Sequence, residues 1–417
     1  MSSYIALIRR RRAFRFLWLG EWVTQLGDWL SYVAISLLAL SHGPGTGALA
    51  VAIVLVAHNL PHAILAPISG IISDRMDRRN LLLITHLGQA LLTVAMVASV
   101  EDLTRLQGLL VLRTSLSALD WPARTAAVTQ VVPEDERLLA NTLCATTWSM
   151  TFALGMAAGG VLALLGPIPA LLLDALTFAI AAGLISRLPP LPAPGAKASS
   201  GGQLADALSN RHVLRAVFAK TPVALASGAG LVLLNLVSTQ AAFLGAAGLT
   251  LGCLQMVKGV GTGLGPVYLR RWVHSGVDPN TLWSAAVALS FVGIGLFTAS
   301  QNPLGWLLGS FVWGVGSGAN WVLSTTTLQR HAPSTHLGRL AALDALSTTL
   351  GMSIAAVATG LLIDTMGLRP VTVWPCTGLG LFLAAALWAV TRETPLWASS
   401  SPPSPPHPRS EAREAFQ

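Results

Sequence analysis

The apolar stretches of this chain recur at the length that crosses a lipid bilayer. At 1.5 Å of rise per residue, about 20 apolar residues in a helix span the hydrocarbon core. The first run follows Arg9–Arg12 and is too long for the core of a cleaved signal peptide, so we expect it to be retained as a span. Runs of suitable length fall near 14–40, 48–72, 80–100, 106–130, 139–165, 168–187, 213–237, 244–268, 281–300, 304–328, 339–364 and 371–391. The pattern predicts an all-α membrane protein with twelve transmembrane helices.

The composition excludes several other classes of protein. Charged residues make up 11% of the chain and hydrophobic residues 53%, whereas about 25% of a soluble domain is charged. The net charge of +8 comes from short basic clusters between apolar runs, so we expect no nucleic-acid partner. No P-loop or catalytic constellation occurs in the sequence, and the three cysteines lie far apart in apolar segments. We therefore expect neither an enzyme nor a bound cofactor or metal.

The positions of the basic residues predict the orientation of the chain. If the N-terminus is cytoplasmic and the spans alternate, 22 of the 26 Lys and Arg residues fall in cytoplasmic segments. Only Arg105 and Arg369 then fall in outer loops. Because cytoplasmic loops are enriched in Lys and Arg, this bias predicts a multi-pass inner-membrane protein with both termini in the cytoplasm.

The spacing of the runs also predicts a division of the chain. We expect a six-helix half over 1–187, a cytoplasmic linker over 188–212, a second six-helix half over 213–395, and a disordered cytoplasmic tail over 396–417. The linker is rich in Pro, Ala, Gly and Ser, and the tail is rich in proline. Two six-span halves are typical of secondary transporters built from repeats.

A short motif lies between the second and third predicted spans. It reads Gly70-Ile-Ile-Ser-Asp74-Arg75-Met-Asp77-Arg78-Arg79 and resembles the loop signature of the major facilitator superfamily, G-x-x-x-D-R-x-G-R-R/K. The glycine would allow close approach of a neighbouring helix, and the arginines would anchor the cytoplasmic face. Asp77 stands where the signature has its second glycine, a variant that we associate with the enterobactin-exporter-like, drug-efflux branch.

Other segments resemble that branch over nearly the whole chain. They are FRFLWLGEWVTQLGDWLSYVA, DWPARTAAVTQVVPEDERLLANTL and HLGRLAALDALSTTLG. The resemblance implies a major facilitator fold in which spans one, four, seven and ten line a central cavity. It also implies a cytoplasmic gate formed by Asp74, Arg78 and Asp120. A stretch typical of antiporters departs from the pattern, because Met156 replaces its proline.

Polar residues recur at helical spacing on the first and fourth spans. They are Glu21, Thr24, Gln25, Asp28 and Ser31 on one, and Arg113, Ser117, Asp120 and Arg124 on the other. Asp28 lies about 22 Å, and Arg113 about 20 Å, from the cytoplasmic end of its span, so the two are nearly level. Charged residues inside a span are costly and usually functional. We predict that Asp28 and Arg113 pair and that Asp28 exchanges its partner for a proton or substrate. A permanent structural pair is the alternative.

Several further polar residues fall within the spans. Lys258 could contact substrate or a counter-ion, or neutralise Asp344. Asp174 and Asp364 are expected to be interfacial caps. His58 and His62 have a spacing that could hold a metal ion, but membrane histidines also form hydrogen bonds between helices. Gly259, Gly261, Gly263 and Gly265 predict tight helix packing. Four residues on spans seven and ten could line the cavity: Asn235, Asn320, Trp313 and Trp321.

Together these features predict a secondary active transporter that works by alternating access. We expect proton-coupled efflux of a small organic molecule such as a drug, a siderophore or another secondary metabolite. The expected partners are this substrate, protons and the lipid bilayer, and we expect a monomer. A divalent-metal exporter, an uptake carrier and a transport-inactive membrane scaffold remain as alternatives.

Overall fold

Long helices account for most of the structure. The computed structural model describes residues 2–41, 47–192, 210–275, 277–332 and 337–367, together with five positions between 378 and 385. The helices in these residues are α1 Ser2–Arg10, α2 Arg12–Leu40, α3 Gly47–Arg75, α4 Arg78–Val97, α5 Leu103–Val131, α6 Glu134–Leu162, α7 Pro167–Ile185, α8 Arg211–Phe218, α9 Thr221–Ala241, α10 Ala247–His274, α11 Pro279–Ala299, α12 Pro303–His331 and α13 Leu337–Met366.

Eleven of the twelve predicted spans correspond to helices of at least 19 residues, namely α2 to α7 and α9 to α13. The twelfth predicted span, 371–391, lies almost entirely outside the described residues, as do most of the predicted linker and the whole predicted tail. Eight helical segments of the described chain are both long and apolar enough to cross a membrane. The three long helices that do not reach this hydropathy are α5, α10 and α12, and the first two carry Arg113 and Lys258 within them.

One predicted span begins later than its apolar run. The run 213–237 divides into α8 and α9, with a break at Ala219–Lys220. Pro222 lies in the first turn of α9, where its missing N–H is not needed. A proline favours a helix start at this position, which explains why apolarity alone misplaced the boundary.

Polar caps set the beginnings of four other helices. The side chains of Asp77, Asp102, Asp278 and Asn302 each accept a hydrogen bond from the backbone N–H three residues later, at 2.9 to 3.1 Å. These bonds satisfy N–H groups that have no partner within the helix. The sequence therefore encodes these helix starts locally.

Taken in chain order, α2 to α7 form a first group of helices and α9 to α13 a second, and the two groups pack along two seams. In the first group α2 packs against α6 and α7, while α5 packs against α3 and α4. In the second group α9 packs against α13, while α12 packs against α10 and α11. The seams between the groups are the contacts of α3 with α13 and of α6 with α10.

Glycines allow the backbones to approach closely along both seams. A Cβ atom on Gly160 of α6 would lie 2.5 Å from the carbonyl oxygen of Gly248 on α10. A Cβ atom on Gly360 of α13 would lie 2.8 Å from the Cα atom of Leu49 on α3. Both contacts lie at the end of the bundle where α3 begins and α6 ends.

The close approach predicted at Gly70 is not seen among the described residues. A Cβ atom on Gly70 would have no heavy atom within 4 Å among the described residues. Gly70 lies near the opposite end of α3 from the contact of that helix with Gly360. The predicted packing role of the glycine ladder is confirmed at Gly261 and Gly265, which lie directly against the backbone of α12.

Candidate transport cavity

A polar cavity of about 230 Å³ lies within the first group of helices. Helices α2, α3, α4, α5, α6 and α7 all contribute to its wall. The lining combines charged, amide, hydroxyl and aromatic side chains. Its residues are Thr24, Gln25, Asp28, Trp29, His58, Asn59, His62, His86, Gln89, Arg113, Thr114, Ser117, Asp120, Trp121, Arg124, Trp148 and Phe178.

Arg113 lies between two carboxylates. Its Nη2 atom is 2.9 Å from Asp28 Oδ1, and its Nη1 atom donates a hydrogen bond to Asp174 Oδ2. The side chain of Asp28 is 26% exposed, whereas that of Asp174 is fully buried. The guanidinium therefore joins a carboxylate that faces the cavity to one that is sealed from it.

Helix packing explains how Asp174 reaches this position. Asp174 lies two turns into α7, which packs against α2, and a Cβ atom on Gly27 would lie 2.7 Å from Asp174 Oδ1. Because Gly27 has no side chain, α2 leaves room for this carboxylate. The expectation that Asp174 is an interfacial cap is therefore wrong.

A second arginine repeats the arrangement closer to the start of α2. Arg124 Nη1 is 3.1 Å from Glu21 Oε1, and Arg124 Nη2 is 3.9 Å from Asp120 Oδ2. Asp120 also lies 3.4 Å from His86 Nδ1. Gln25 donates a hydrogen bond of 2.9 Å to the Glu21 carboxylate and accepts one of 2.8 Å from Thr151.

The two arginine clusters carry more acid than base. With both guanidinium groups protonated and all four carboxylates ionised, they hold two positive and four negative charges, a net charge of −2. Uncompensated charge is expensive away from water, so such a site favours the uptake of protons or of another cation. Asp28 and Asp120 line the cavity itself, and the excess of negative charge comes from the buried carboxylates of Glu21 and Asp174.

The two histidines of α3 also line the cavity. His58 packs against the rings of Trp29 and Tyr32 at centroid distances of 5.6 and 5.3 Å. His62 Nε2 is 3.2 Å from Ser117 Oγ. Across the described part of the chain, no three His, Cys, Asp or Glu side chains are grouped so that they could hold a metal ion.

Lys258 lies on α10, outside this lining. Its ammonium group is 4.6 Å from the ring centroid of Trp313 and 5.9 Å from that of Phe152. The alternative that Lys258 neutralises Asp344 is wrong, because Asp344 pairs with Lys220 at the start of α9. Phe152 also stacks on Trp148, which lines the cavity. One aromatic ring therefore connects Lys258 to a residue of the lining.

Three of the four residues on spans seven and ten that were predicted to line the cavity are buried. Asn235 and Asn320 are buried and donate hydrogen bonds to the carbonyl oxygens of Leu231 and Ala219. Trp313 is fully buried and donates to Ser227 Oγ at 3.0 Å, whereas Trp321 is 57% exposed. None of the four belongs to the described lining. Sequence alone could not distinguish a cavity wall from a helix interface here.

The motif of Gly70 to Arg79 holds the chain that leaves α7. Asp77 accepts a hydrogen bond of 2.7 Å from the Leu191 N–H, and the Arg78 N–H donates one of 2.9 Å to the Leu191 carbonyl oxygen. Arg79 donates to the Ser186 carbonyl oxygen, while Arg75 is exposed. The side chain of Asp74 lies outside the described residues.

The expected gate contact between Arg78 and Asp120 is absent from the described structure. Asp120 is occupied by Arg124 and His86 instead, and the Nε atom of buried Arg78 has no hydrogen-bond partner among the described atoms.

Asp364 does act as a cap, although between the two groups of helices. Its carboxylate on α13 accepts hydrogen bonds from the N–H groups of Ala48 and Leu49, at 3.3 and 3.1 Å. These N–H groups belong to the first turn of α3 and have no partner within that helix. The carboxylate therefore ties α13 to α3 beside Gly360.

A bundle of long apolar helices around a buried, charged cavity defines the class of multi-pass membrane transporters. The family model of the Major Facilitator Superfamily matches residues 17–356. The chain therefore belongs to this superfamily. It is a membrane transporter rather than an enzyme.

Individual relatives agree with this assignment. An uncharacterised MFS-type transporter of Bacillus subtilis, YfiS, is 29% identical over 159 residues, which is 37% of each chain. The match thus spans well under half of that relative's length. Among solved structures, the nucleoside transporter NupG has a TM-score of 0.70 at 12% identity, covering 91% of this chain and 99% of its own.

Two further solved structures share the fold. A bacterial homologue of the human lysosomal transporter Spinster, in an inward-facing and unoccupied conformation, has a TM-score of 0.67 at 15% identity, covering 94% of this chain and 99% of its own. A POT family transporter in complex with a peptide conjugate has a TM-score of 0.70 at 12% identity, covering 92% of this chain and 96% of its own.

Proposed function

We propose that this protein exports a small organic molecule in exchange for protons. The proposal rests on one observation, the position of Arg113 between a cavity-facing carboxylate and a sealed one. Protonation of Asp28 removes its charge and its attraction to Arg113, which keeps Asp174 as its counter-ion. Loss of the proton restores the attraction. The site can therefore hold two charge states without leaving the guanidinium unpaired.

The coupling follows from this exchange. A substrate that binds near Asp28 competes with the proton, so the cavity carries one or the other in each half of the cycle. A transporter that moves only when its cavity charge is compensated exchanges the two across the membrane, because uncompensated charge in the bilayer is costly. Under an inward proton gradient, this exchange drives the substrate outward.

The helix contacts support alternating access between two halves. The pairing of α2 with α6, α3 with α5 and α4 with α5 recurs as α9 with α13, α10 with α12 and α11 with α12. This recurrence favours the two six-helix halves that the sequence predicts over 1–187 and 213–395. The cavity is lined within one chain, so we propose that a monomer is sufficient.

The orientation predicted from the basic residues assigns each end of the bundle to one face of the membrane. With cytoplasmic termini in the inner membrane, the glycine seams and Asp364 lie at the outer face and Gly70 lies at the cytoplasmic face. The conformation is then inward-facing, with its outer side closed. Such a state would take up substrate from the cytoplasm, as an exporter requires.

A comparison of cells tests the proposal. Cells would contain either the intact protein or the Asp28→Asn form at matched membrane levels, and metabolites and added drugs would be measured inside and outside. The proposal predicts at least one compound that is depleted from cells by the intact protein only. Asp278→Asn provides the control, since it removes an aspartate that caps α11 outside the cavity.

Equal compound levels with the intact and Asp28→Asn proteins would contradict the proposed coupling. Depletion from the medium instead of from the cells would identify an uptake carrier. If no compound moves with either form while partner proteins still co-purify, the scaffold alternative replaces transport. Substitution of His58 and His62 tests the metal alternative, which predicts a loss of resistance to divalent metals.

A further inference from the structure

We propose that the substrate of this cavity is an organic cation, a protonated amine or a quaternary ammonium compound, whose charge is bound by Asp28. This inference rests on the proposed function and gives the substrate class for the same site. It follows from three features of the described site. They are its charge balance, the difference in exposure between the two carboxylates bound to Arg113, and the aromatic side chains of the cavity wall.

The carboxylates of the two arginine clusters outnumber the guanidinium groups, so added positive charge would compensate the difference. The two arginine clusters combine two guanidinium groups with four carboxylates, Glu21, Asp28, Asp120 and Asp174. A neutral or anionic substrate would leave the excess negative charge uncompensated, or would require protons to remain bound beside it. An organic cation supplies the missing charge itself and so replaces a proton directly.

The geometry identifies Asp28 as the carboxylate that can bind a substrate. Its side chain is 26% exposed to the cavity, whereas those of Asp174 and Glu21 are 0% and 5% exposed. Arg113 can withdraw from Asp28 because its second nitrogen remains bonded to Asp174. A cationic head group can therefore take the place of the guanidinium at Asp28.

Aromatic side chains surround this position. Trp29 follows Asp28 in α2 and contacts Trp148 and Phe152 at centroid distances of 6.1 and 4.7 Å. Trp29, Trp148 and Trp121 all line the cavity. The faces of such rings attract ammonium groups and pack against apolar substituents. The wall thus fits the organic part of a cation rather than a hydrated metal ion.

Protons compete with the cation for Asp28, so binding should depend on pH. The charged and titratable groups that face Asp28 from the packed helices determine how its charge is balanced. They are Asp174 on α7, Arg113, Asp120 and Arg124 on α5, His58 and His62 on α3 and His86 on α4, while Glu21 on α2 itself pairs with Arg124.

The position of Lys258 would instead favour an anionic substrate. Its ammonium group contacts Trp313 and Phe152, and no carboxylate of the described chain lies within 4.0 Å of it, so an anionic substrate could bind there. Asp28 and Asp120 line the cavity and Glu21 and Asp174 are buried beside its arginines, whereas Lys258 lies outside the lining. An anion that entered beside Asp28 and Asp120 would be repelled.

Two aromatic probes of the same shape separate charge from hydrophobicity. Phenyltrimethylammonium carries a permanent positive charge, and tert-butylbenzene is its neutral isostere. Benzoate represents the anionic class. Binding of each probe to the purified full-length protein in detergent would be followed by quenching of tryptophan fluorescence and by calorimetry. Because none of the probes titrates between pH 6 and about pH 8.5, any pH dependence in this range reports a group of the protein.

The expected result is saturable binding of phenyltrimethylammonium that weakens as the pH is lowered. Asp28→Asn should weaken this binding about tenfold or more, since a partly buried charge partner is lost. Asp28→Glu should retain part of it, which guards against a general folding defect. Glu101→Gln removes an exposed carboxylate outside the cavity and should have no effect.

Three results would overturn the inference. They are equal binding of the cation and its neutral isostere, unchanged cation binding in Asp28→Asn, and tighter binding of benzoate that is lost in Lys258→Gln. The last result would assign an anionic substrate.

This test and the cellular test can fail separately. If the cation binds through Asp28 but no compound is exported from cells, the substrate class stands and export fails. If cells export a compound in an Asp28-dependent way and the cation does not bind, export stands and the substrate class fails.

Discussion

Replacement of Asp364 by alanine should loosen the seam between α13 and α3 and change the conformational equilibrium of the protein. The carboxylate accepts two hydrogen bonds from the first turn of α3, at 3.3 and 3.1 Å. It also places negative charge at the positive end of the helix dipole. Both interactions cross from one group of helices to the other, so they exist only while this end of the bundle is closed.

The size of the effect can be estimated from these contacts. A hydrogen bond contributes about 1 kcal/mol net, and the carboxylate is half-buried, so the two bonds together contribute about 2 kcal/mol. A change of about 2 kcal/mol shifts a two-state equilibrium about 30-fold, since about 1.4 kcal/mol corresponds to a factor of ten. The shift favours the conformation in which this end is open.

Distance measurements between spin labels would detect the shift. Labels at Glu101 and Gln301 would report the separation of the two groups at this end, after replacement of the three native cysteines. We expect a second, longer distance to gain population in Asp364→Ala. Asp102→Ala is the matched control, because Asp102 caps α5 within one group. An unchanged distance distribution in Asp364→Ala, or the same change in both variants, would refute the reasoning.

Three further substitutions test the packing and the ion pairs by thermal unfolding in detergent. Asp174→Ala should destabilise the protein by about 3 kcal/mol, because buried Arg113 loses a partner; an unchanged melting temperature would restore the interfacial-cap interpretation. Gly160→Ala should cost about 1–3 kcal/mol through a clash with the Gly248 backbone, whereas Gly108→Ala, with no neighbour within 4 Å, should not destabilise. The Asp344→Asn and Lys220→Gln effects should be strongly non-additive, since either alone breaks the same pair; additive effects would contradict the pairing.

The sequence was sufficient for the spans and for part of the site. Apolar run length predicted twelve spans, eleven of which correspond to described helices, because the bilayer imposes a length on every span. The pairing of Asp28 with Arg113 followed from depth, since rise per residue places both at one level. The same reasoning could have found Asp174, which lies seven residues after the start of α7 and is too deep for an interface.

Other features depended on which helices are neighbours. Asp344 pairs with Lys220 rather than Lys258 because α9, and not α10, packs against α13. The burial of Asn235 and Asn320 likewise depends on helix rotation, which periodicity does not fix when every face is apolar. The surroundings of Gly70, which has no heavy atom within 4 Å of a Cβ atom among the described residues, likewise depend on helix placement, which the motif does not specify.

Transport into vesicles tests the exchange of substrate for protons most directly. Purified protein would be reconstituted into lipid vesicles, and the uptake of the compound identified in the cellular comparison would be measured with and without an acidic interior. The account predicts accumulation against a concentration gradient only with the acidic interior, and its loss in Asp28→Asn. Uptake at the same rate and to the same level without a pH gradient would contradict the account.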